Sequence, residues 1–387
     1  MPEHVVYITS WYPRAEKSEG TFIEMQLRVA KEIGVRAAVL QSEEVTGGNY
    51  VRDRLRGAQL FSYRRNPDVH VIENLAVHRT PLRLAADPEL KRRKTLIRAA
   101  VRSIKRYAAR AGMPDAFFHH GIFDYCYLTK ALSEHFGIPY FFTEHSAFTA
   151  REVRSRNAFE TEAFLRDFVC GAQRRFTVTR AYAEKFSRIF GLPFEYAPNV
   201  LTADFFAKQI PVRPAAPFRF INVGILEPHK NQALLIEAFA EAFGGDEDVT
   251  LTIAGDGRLG PDLAKLASER GVADRVELPG FLDRTALKAA LDASHAFVLS
   301  SAAETFGVVL IEAMARGLPV IAPDIDGPRE LVGESTGLCF EAGSRASLAG
   351  ALRDMYYGAN DYNPEVAVRF AKQNFGAEAL RKYIFHD

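Results

Sequence analysis

The sequence predicts an α/β protein made of two doubly wound domains in tandem, facing each other across a cleft. Three observations predict this. The chain has 387 residues, too many for one ordinary core and suited to two domains of about 150–200 residues. Strand-like apolar runs alternate with helical patterns along most of its length, which favours parallel sheets covered by helices. The alternation breaks at residues 211–217, Pro-Val-Arg-Pro-Ala-Ala-Pro, where three prolines in seven positions favour an extended linker.

Before that linker, Val5–Thr9, Ala37–Leu40, Ala116–His119, Tyr140–Thr143 and Phe176–Thr179 read as strands, and residues 21–33, 89–111, 124–136 and 158–170 have helical spacing. After it the alternation is cleaner. Strand Phe218–Val223 leads to a helix near 232–243, and strand Thr250–Ala254 to a helix near 262–270. Strand Val276–Leu278 precedes a helix that Asp283 can cap. Strand Ala296–Leu299 leads to a helix near 308–316, stopped by Gly317 with Pro319 just beyond. The expected domains are residues 1–205 and 206–365, with a last segment, 366–387.

Composition sets the class of protein. With 48% apolar and 25% charged residues, the chain reads as an ordinary soluble globular protein. Val5-Val6-Tyr7-Ile8 is too short to span a bilayer, no later run comes close, and no N-terminal signal pattern precedes it. Cys126, Cys170 and Cys339 are scattered and odd in number. They allow neither a disulfide framework nor a zinc spacing, so a cytoplasmic location is expected. The net charge of +1 hides an asymmetry: up to Phe205 there are 31 basic and 23 acidic residues, and beyond it 18 and 25. Different partners for the two halves, or a chance distribution of solvated charge, both fit that split.

The strongest chemical signal lies between Ser300 and Gly317. It follows a strand and enters a helix, so free backbone N–H groups and the positive helix end project from the carboxyl edge of a sheet. That is an anion site suited to a nucleotide diphosphate. Gly307 allows close approach of a ligand to the backbone, flanked by Phe306 on one side and by Val308 and Val309 on the other. Glu304 in the loop and Glu312 two turns into the helix can each accept hydroxyl hydrogen bonds, one set from a sugar and one from a ribose. Two ordinary surface acids are the alternative.

This stretch resembles the glutamate-seven-glutamate signature of the family 4 retaining glycosyltransferases, whose fold is GT-B, two Rossmann-like domains. The resemblance implies that Glu304 contacts the transferred sugar and Glu312 the nucleotide ribose. Val223-Gly224-Ile225-Leu226-Glu227-Pro228-His229-Lys230 is similar to the family's phosphate-binding strand–loop–helix. Ala254-Gly255-Asp256-Gly257, Pro279-Gly280-Phe281 and Gly327-Pro328-Arg329-Glu330 also fit, as do Thr143-Glu144-His145-Ser146 and Pro198-Asn199-Val200 in the first half. Gly20-Thr21-Phe22 resembles the loop that closes over the donor. By the same resemblance His145 acts near the donor sugar and its departing phosphate, and residues 366–387 fold back onto the first domain. A lone histidine is also commonly a structural residue, and the adjacent His119 and His120 point to opposite faces of a strand and cannot share a metal.

One position departs from the family. An arginine usually follows the glycine of the phosphate motif, and here Ile225 stands in its place. Lys230 supplies a point charge to the diphosphate but not a bidentate fork. Arg14, Arg329 and His229 are the candidates to compensate.

Two further patterns compete for attention. Gly255-Asp256-Gly257-Arg258-Leu259-Gly260 matches a dinucleotide-binding Gly-x-Gly-x-x-Gly with Glu277 about twenty residues on, which makes an NAD-dependent oxidoreductase a remote alternative. It sits at the second strand of its domain rather than the first. Residues 89–111 form a basic amphipathic helix, with Leu90, Ile97, Val101, Ile104 and Ala108 as its apolar stripe. An anionic membrane surface fits the charges, and so does a helix whose stripe packs on its own sheet. Nucleic acid is not expected, since no aromatic platform accompanies the charges.

The expectation is a retaining glycosyltransferase that moves a sugar from a UDP- or GDP-sugar to a glycan or lipid-linked acceptor, peripheral at the inner membrane face if the basic helix meets lipid. No cofactor and no metal are expected, because no plausible Asp-x-Asp metal motif accompanies the site. A non-catalytic sugar-nucleotide-binding protein is the alternative that Ile225 keeps open.

Overall fold

The computed structural model describes residues 2–9, 12, 20–46, 69–78, 88–122, 125–145, 162–245 and 248–385. Arg14 and Ser146 lie outside them. The chain divides into two compact units, residues 1–200 with 379–387, and residues 201–378.

The first unit is built on a parallel sheet of seven strands: β1 (His4–Ile8), β2 (Arg36–Thr46), β3 (His70–His78), β4 (Ala116–His120), β5 (Tyr140–Glu144), β6 (Arg174–Thr177) and β7 (Glu195–Tyr196). Their order is β3-β2-β1-β4-β5-β6-β7. The helices are α1 (Thr21–Glu32), α2 (Pro88–Ala111), α3 (Cys126–Phe136), α4 (Glu162–Gly171) and α5 (Arg180–Phe190). The central strands β1, β4 and β5 are buried at every residue, as near-continuous apolar runs covered on both faces should be. Order reverses between β1 and β4, so the loops after these two strands flank the switch point where ligands of doubly wound sheets bind.

The basic helix packs its stripe at home. Leu96, Ala99, Ala100, Ser103 and Ile104 are buried, Ile97 and Val101 lie half-buried against the core, and Leu90 is exposed. The buried face is therefore turned from the expected one, because small alanines rather than Leu90 fit the close approach to β3 and α3. Ser103 Oγ donates to the Glu73 carbonyl of β3 at 2.9 Å. Lys94, Arg98, Arg102, Lys105, Arg106 and Arg110 point the other way and are exposed.

The second unit has a six-stranded parallel sheet: β8 (Phe218–Val223), β9 (Val249–Ala254), β10 (Val276–Gly280), β11 (Ala296–Val298), β12 (Val320–Pro323) and β13 (Gly337–Phe340). The order β10-β9-β8-β11-β12-β13 places the switch between β8 and β11. Around it lie α6 (Gln232–Phe243), α7 (Gly260–Glu269), α8 (Arg284–Ala293), α9 (Val308–Ala315), the single turn α10 (Pro328–Leu331), α11 (Arg345–Tyr357) and α12 (Pro364–Phe375). Asp283 caps α8 through its Oδ1, which accepts from the Thr285 and Ala286 N–H groups.

The unit boundaries fall a few residues from those read in the sequence. Leu201 N donates to the Phe375 carbonyl at 2.7 Å, and Arg316 Nη1 donates to the Phe205 carbonyl at 3.1 Å, which ties residues 201–205 to the second unit. α12 packs on α9 within the same unit, so only the end of the last segment belongs with the first. There Arg174 donates to the Tyr383 and Ile384 carbonyls at 3.0 and 2.9 Å and pairs with Glu195.

Candidate functional site

In the second unit the loop after β8 and the loop after β11 meet at the switch point. Ser300 Oγ donates to the Lys230 carbonyl at 2.8 Å, and Ala302 N to the His229 carbonyl at 2.9 Å. These ties hold the Pro228–Lys230 turn against Ser300–Gly307 and bring Lys230 Nζ to 2.6 Å from Glu304 Oε2. Glu304 Oε1 also accepts from Thr305 N at 3.2 Å. A cation and a carboxylate, both partly exposed, thus stand side by side.

Gly307 starts α9 with a left-handed φ of 87° and no side-chain cap. The N–H groups of Val308 and Val309, the first two of the helix, take no hydrogen bond among the described residues, as expected for helix-start amides. They leave donors and a positive dipole end beside the Lys230–Glu304 pair. Phe306 contributes through its backbone only, since its ring is buried edge-on against Phe375 at 5.8 Å.

Gly224 is not required by packing within the chain. A Cβ there would meet Lys230 Cδ and Gln232 Nε2 at 3.8 and 3.9 Å, ordinary contact distances. Its bareness is free to serve a ligand. The opposite holds for Gly255 and Gly257, where a Cβ would fall 1.9 Å from the Gly224 carbonyl oxygen and 2.5 Å from that of Leu226. Leu226 N donates to the Asp256 carbonyl at 2.9 Å. The Gly-x-Gly-x-x-Gly pattern therefore buttresses the loop after β8, away from the switch point. Gly327 does the same for the other loop, with a Cβ 2.2 Å from the Thr305 carbonyl oxygen.

Glu312 is 8% exposed and accepts no hydrogen bond from a described residue. Burial pushes its carboxyl up to about 7, while Arg284 favours the ionised form. Ile225 is 51% exposed where the family's arginine would stand. Of its candidate substitutes, Arg329 is engaged with Asp324 at 2.9 Å. The His229 imidazole is held below its usual range by burial and by Lys230, which makes it a poor charge.

Gly20 and His145 belong to the first unit. Gly20 starts α1 with φ 81°, and two residues on, the Phe22 ring lies 4.4 Å from that of His145. The Gly20–Phe22 segment and the end of β5 are therefore brought together. Glu144 fixes the backbone here. Its Oε2 accepts from Ile122 N at 2.8 Å and its Oε1 from His145 N at 3.0 Å. His145 Nε2 lies 2.7 Å from His120 Nδ1, and burial lowers the His145 imidazole to about 3. His119 faces the opposite side, as strand parity requires, with Thr129 Oγ1 at 2.8 Å and Cys126 Sγ at 3.5 Å.

Sequence reading did not single out Gln232 or Arg284, and gave His120 and Ser300 none of the contacts they make. Their signal is three-dimensional: Ser300 reaches Lys230, His120 reaches His145 and Arg284 acts on Glu312, each far along the chain, while Gln232 reaches back to Ile225. Among the described residues no three His, Cys, Asp or Glu side chains gather as a metal-binding group, and no helix is long and apolar enough to cross a membrane.

Two parallel doubly wound sheets, with a cation, a carboxylate and a bare helix start at one switch point, define the GT-B class of fold. A solved structure of Anabaena HepE in complex with UDP shares it, at a TM-score of 0.70 and 17% identity over 98% of this chain and 97% of that one. Residues 205–372 match the family model described as glycosyl transferases group 1. The match covers most of the second unit. An alpha-D-kanosaminyltransferase of Streptomyces kanamyceticus is 35% identical over 30% of this chain and 30% of its own length. A phosphatidyl-myo-inositol mannosyltransferase of Mycobacterium leprae is 33% identical over 41% of this chain. The chain spans 30% and 40% of the lengths of these two relatives.

Proposed function

We propose that this protein is a retaining, metal-independent glycosyltransferase that moves a sugar from a UDP- or GDP-sugar to a glycan or lipid-linked acceptor. The observation that carries the reading is the Lys230–Glu304 pair beside the open start of α9. A donor diphosphate brings negative charge to this point, where Lys230 and the Val308 and Val309 amides can receive it. Charge-assisted hydrogen bonds of this kind are the stronger ones. Receiving the diphosphate releases Glu304 from Lys230, and the carboxylate then takes hydroxyls of the sugar. Glu312 takes the ribose. HepE's binding of UDP, and of UDP-glucose in a further structure, supports a nucleotide-sugar donor.

In the proposed step the bond from the sugar's anomeric carbon to the diphosphate oxygen breaks. The acceptor oxygen bonds to that carbon from the same face, and its proton passes to the leaving phosphate. Lys230 and the α9 amides stabilise the charge that develops on the diphosphate. No side-chain nucleophile is needed. The Gly20 loop and His145 act from the first unit near the donor sugar.

Glu304→Gln is expected to lower turnover while leaving UDP or GDP affinity nearly intact, and Glu312→Ala to weaken the free nucleotide too. Calorimetry showing equal losses of nucleoside diphosphate affinity in both variants refutes this division. Turnover is expected to persist in EDTA, and a metal-reversible loss refutes metal independence.

We also propose that the exposed basic face of α2 meets an anionic membrane at the cytoplasmic side, where a lipid-linked acceptor would lie. Its support is that Lys94, Arg98, Arg102, Lys105 and Arg110 carry no ion pair among the described residues, so they are available to lipid phosphates at about 1 kcal/mol each near the surface. Replacing Arg98, Arg102 and Arg110 by Gln leaves the buried face untouched. Co-sedimentation with anionic vesicles at low salt is expected to fall sharply, and wild-type protein that ignores such vesicles ends this proposal.

A further inference from the structure

An acid and a cation of the second unit are each left incomplete. Glu312, on α9, is buried and accepts no hydrogen bond from a described residue. Arg284 opens α8, and its Nε is buried with no partner among the described residues. The rest of the guanidinium is held in place. Nη2 donates to Thr202 Oγ1 at 2.5 Å and stands 3.7 Å from Asp204 Oδ1, and the group lies 4.7 Å from the centre of the Phe205 ring.

Helix periodicity sets the two against each other. Residues four apart share a helix face, so Arg284, Lys288 and Asp292 form one stripe along α8, and Glu312 and Arg316 form one at the end of α9. The stripes meet at Asp292, whose two carboxylate oxygens accept from Arg316 Nε and Nη2 at 2.7 and 2.6 Å. Phe205 spans the same seam: its carbonyl accepts from Arg316 Nη1 at 3.1 Å, and its ring carries Arg284. Arg316 thus answers Asp292, and one turn earlier on α9 Glu312 is the acid left for Arg284 to answer. The other described charges around Glu312 are engaged or exposed. Lys288 is taken by Asp204 at 3.3 Å, and Asp283 by the first amides of α8. Arg329 and Glu330 on α10 are exposed, as are Glu365, Arg369 and Lys372 on α12. Arg284 is accordingly the charge that acts on Glu312, against the burial that pushes its carboxyl up to about 7.

We propose that Arg284 is a positioning residue for the nucleotide: held by Thr202 and Phe205, it keeps Glu312 a carboxylate and so an acceptor for ribose hydroxyls. An ionised carboxyl only accepts hydrogen bonds, whereas a protonated one brings a donor of its own and loses acceptor capacity. The consequence for the nucleotide rests on the proposed role of Glu312. The influence of Arg284 on Glu312 rests only on how α8, α9 and residues 202–205 are joined within the second unit.

Two readouts on the full chain test the two parts separately. The first is 13C NMR of labelled glutamate carboxyls, with the Glu312 signal identified by its loss in Glu312→Gln. Glu312 is expected to titrate near 7 in the wild type. Arg284→Gln removes the charge, and so does Arg284→Met, which keeps an apolar stem over Phe205. Either should raise the midpoint by about one on the pH scale, the low end of what an adjacent arginine does to a carboxyl. Arg284→Lys keeps the charge and should stay near the wild type, and Lys288→Gln, which removes the next cation of the stripe, should leave the midpoint in place. An unmoved midpoint in the neutral variants overturns the proposal, and so does an equal rise in Lys288→Gln. The second readout is calorimetric affinity for UDP-glucose, or for GDP-glucose where UDP-glucose does not bind, from about pH 6 to about 8.5. Affinity should fall as pH drops through the Glu312 midpoint. By linkage, Arg284→Gln should bind roughly threefold more weakly than the wild type at about pH 7.5 and approach it by about 8.5, and Glu312→Gln should lose this dependence. Wild-type affinity that ignores the Glu312 titration, alongside the expected NMR shifts, removes Glu312 from the ribose and leaves only its dependence on Arg284.

Discussion

The two units present the same topological feature, a switch point at the carboxyl edge of a parallel sheet, and furnish it with opposite chemistry. In the first unit the histidines at and around that edge are neutral. His119, His120 and His145 are all held far below the usual imidazole range by burial. In the second unit the edge carries the Lys230–Glu304 ion pair, and Glu312 is a buried acid pushed up to about 7. Neutral imidazoles suit hydrogen bonds to sugar hydroxyls, and an ion pair suits a diphosphate. The difference shows that fold alone does not assign a role to a switch point; the side chains delivered to it do.

The largest expected effect follows from those opposite shifts. Each of these three histidines binds its proton more weakly when folded than when unfolded. As pH falls below about 6.5, the unfolded chain takes up protons that these residues refuse when folded, His119 and His145 until about 3. Stability is therefore lost on acidification, with a slope near 1.4 kcal/mol per pH unit for each histidine and about 4 for the three together. Glu312 has the reverse sign. Between about 7 and 4.5 folded Glu312 holds a proton that the unfolded chain does not, so its contribution rises on acidification, against the opposite contributions of His229 and His295, which burial lowers. Opening free energies from hydrogen exchange, measured separately for amides of β1, β4 and β5 and for amides of β8 and β11, are expected to diverge from pH 7 to pH 5. His119→Asn should remove about one third of the slope in the first unit. Parallel profiles in the two units would break the contrast.

Next in size is the charged edge of the second unit. Lys230→Ala is expected to lower UDP or GDP affinity more than tenfold, since a charge-assisted phosphate contact is worth roughly 1.5–3 kcal/mol. It also leaves Glu304 unpaired, so the empty protein should lose little more than an exposed ion pair is worth, about 0–1 kcal/mol. A large loss of stability with unchanged affinity would recast Lys230 as a structural residue.

The same contrast governs how much was legible in the sequence. The second unit's site is written in contiguous stretches. Gly224 to Lys230 and Ser300 to Glu312 each follow a strand, and β8 to β11 fall within a residue or two of their expected positions. Glycines that looked alike had different causes, however: Gly255 and Gly257 yield to the backbone of Gly224 and Leu226, which only coordinates reveal. Phe306 sits inside the motif, yet its ring belongs to the core. The first unit was harder because its contacts join distant residues. His120 and His145 are 25 positions apart. β3 escaped notice because Glu73 and Asn74 interrupt its apolar run, although Asn74 is buried and donates to Ser42 Oγ at 2.8 Å. β12 lies between two motifs and β13 and α11 beyond the last one, and none of the three was read.

The smallest expected effect concerns the one place where the charged edge is missing a charge. Ile225 is the first residue after Gly224 and is exposed, so an arginine there meets no core to disrupt. Its backbone carbonyl already accepts from Gln232 Nε2 at 3.0 Å and from Glu227 N at 3.0 Å, so the loop is held whatever side chain it bears. Of the candidates to stand in for the fork, the two among the described residues are engaged or uncharged, since Arg329 pairs with Asp324 and burial and Lys230 hold His229 below its usual range. Ile225→Arg is therefore expected to keep the fold and to tighten UDP or GDP binding. The gain should be a few-fold at most, because a partly exposed guanidinium loses to solvent screening much of what it gains from phosphate. Titration calorimetry at low and at physiological salt would measure it, and the gain should shrink as salt rises. A variant that binds no tighter at low salt would place the diphosphate away from this residue and leave Lys230 as the cation of the site. Tighter binding without turnover on any acceptor, matched by an inactive wild type, would instead favour a chain that holds sugar nucleotides without transferring them.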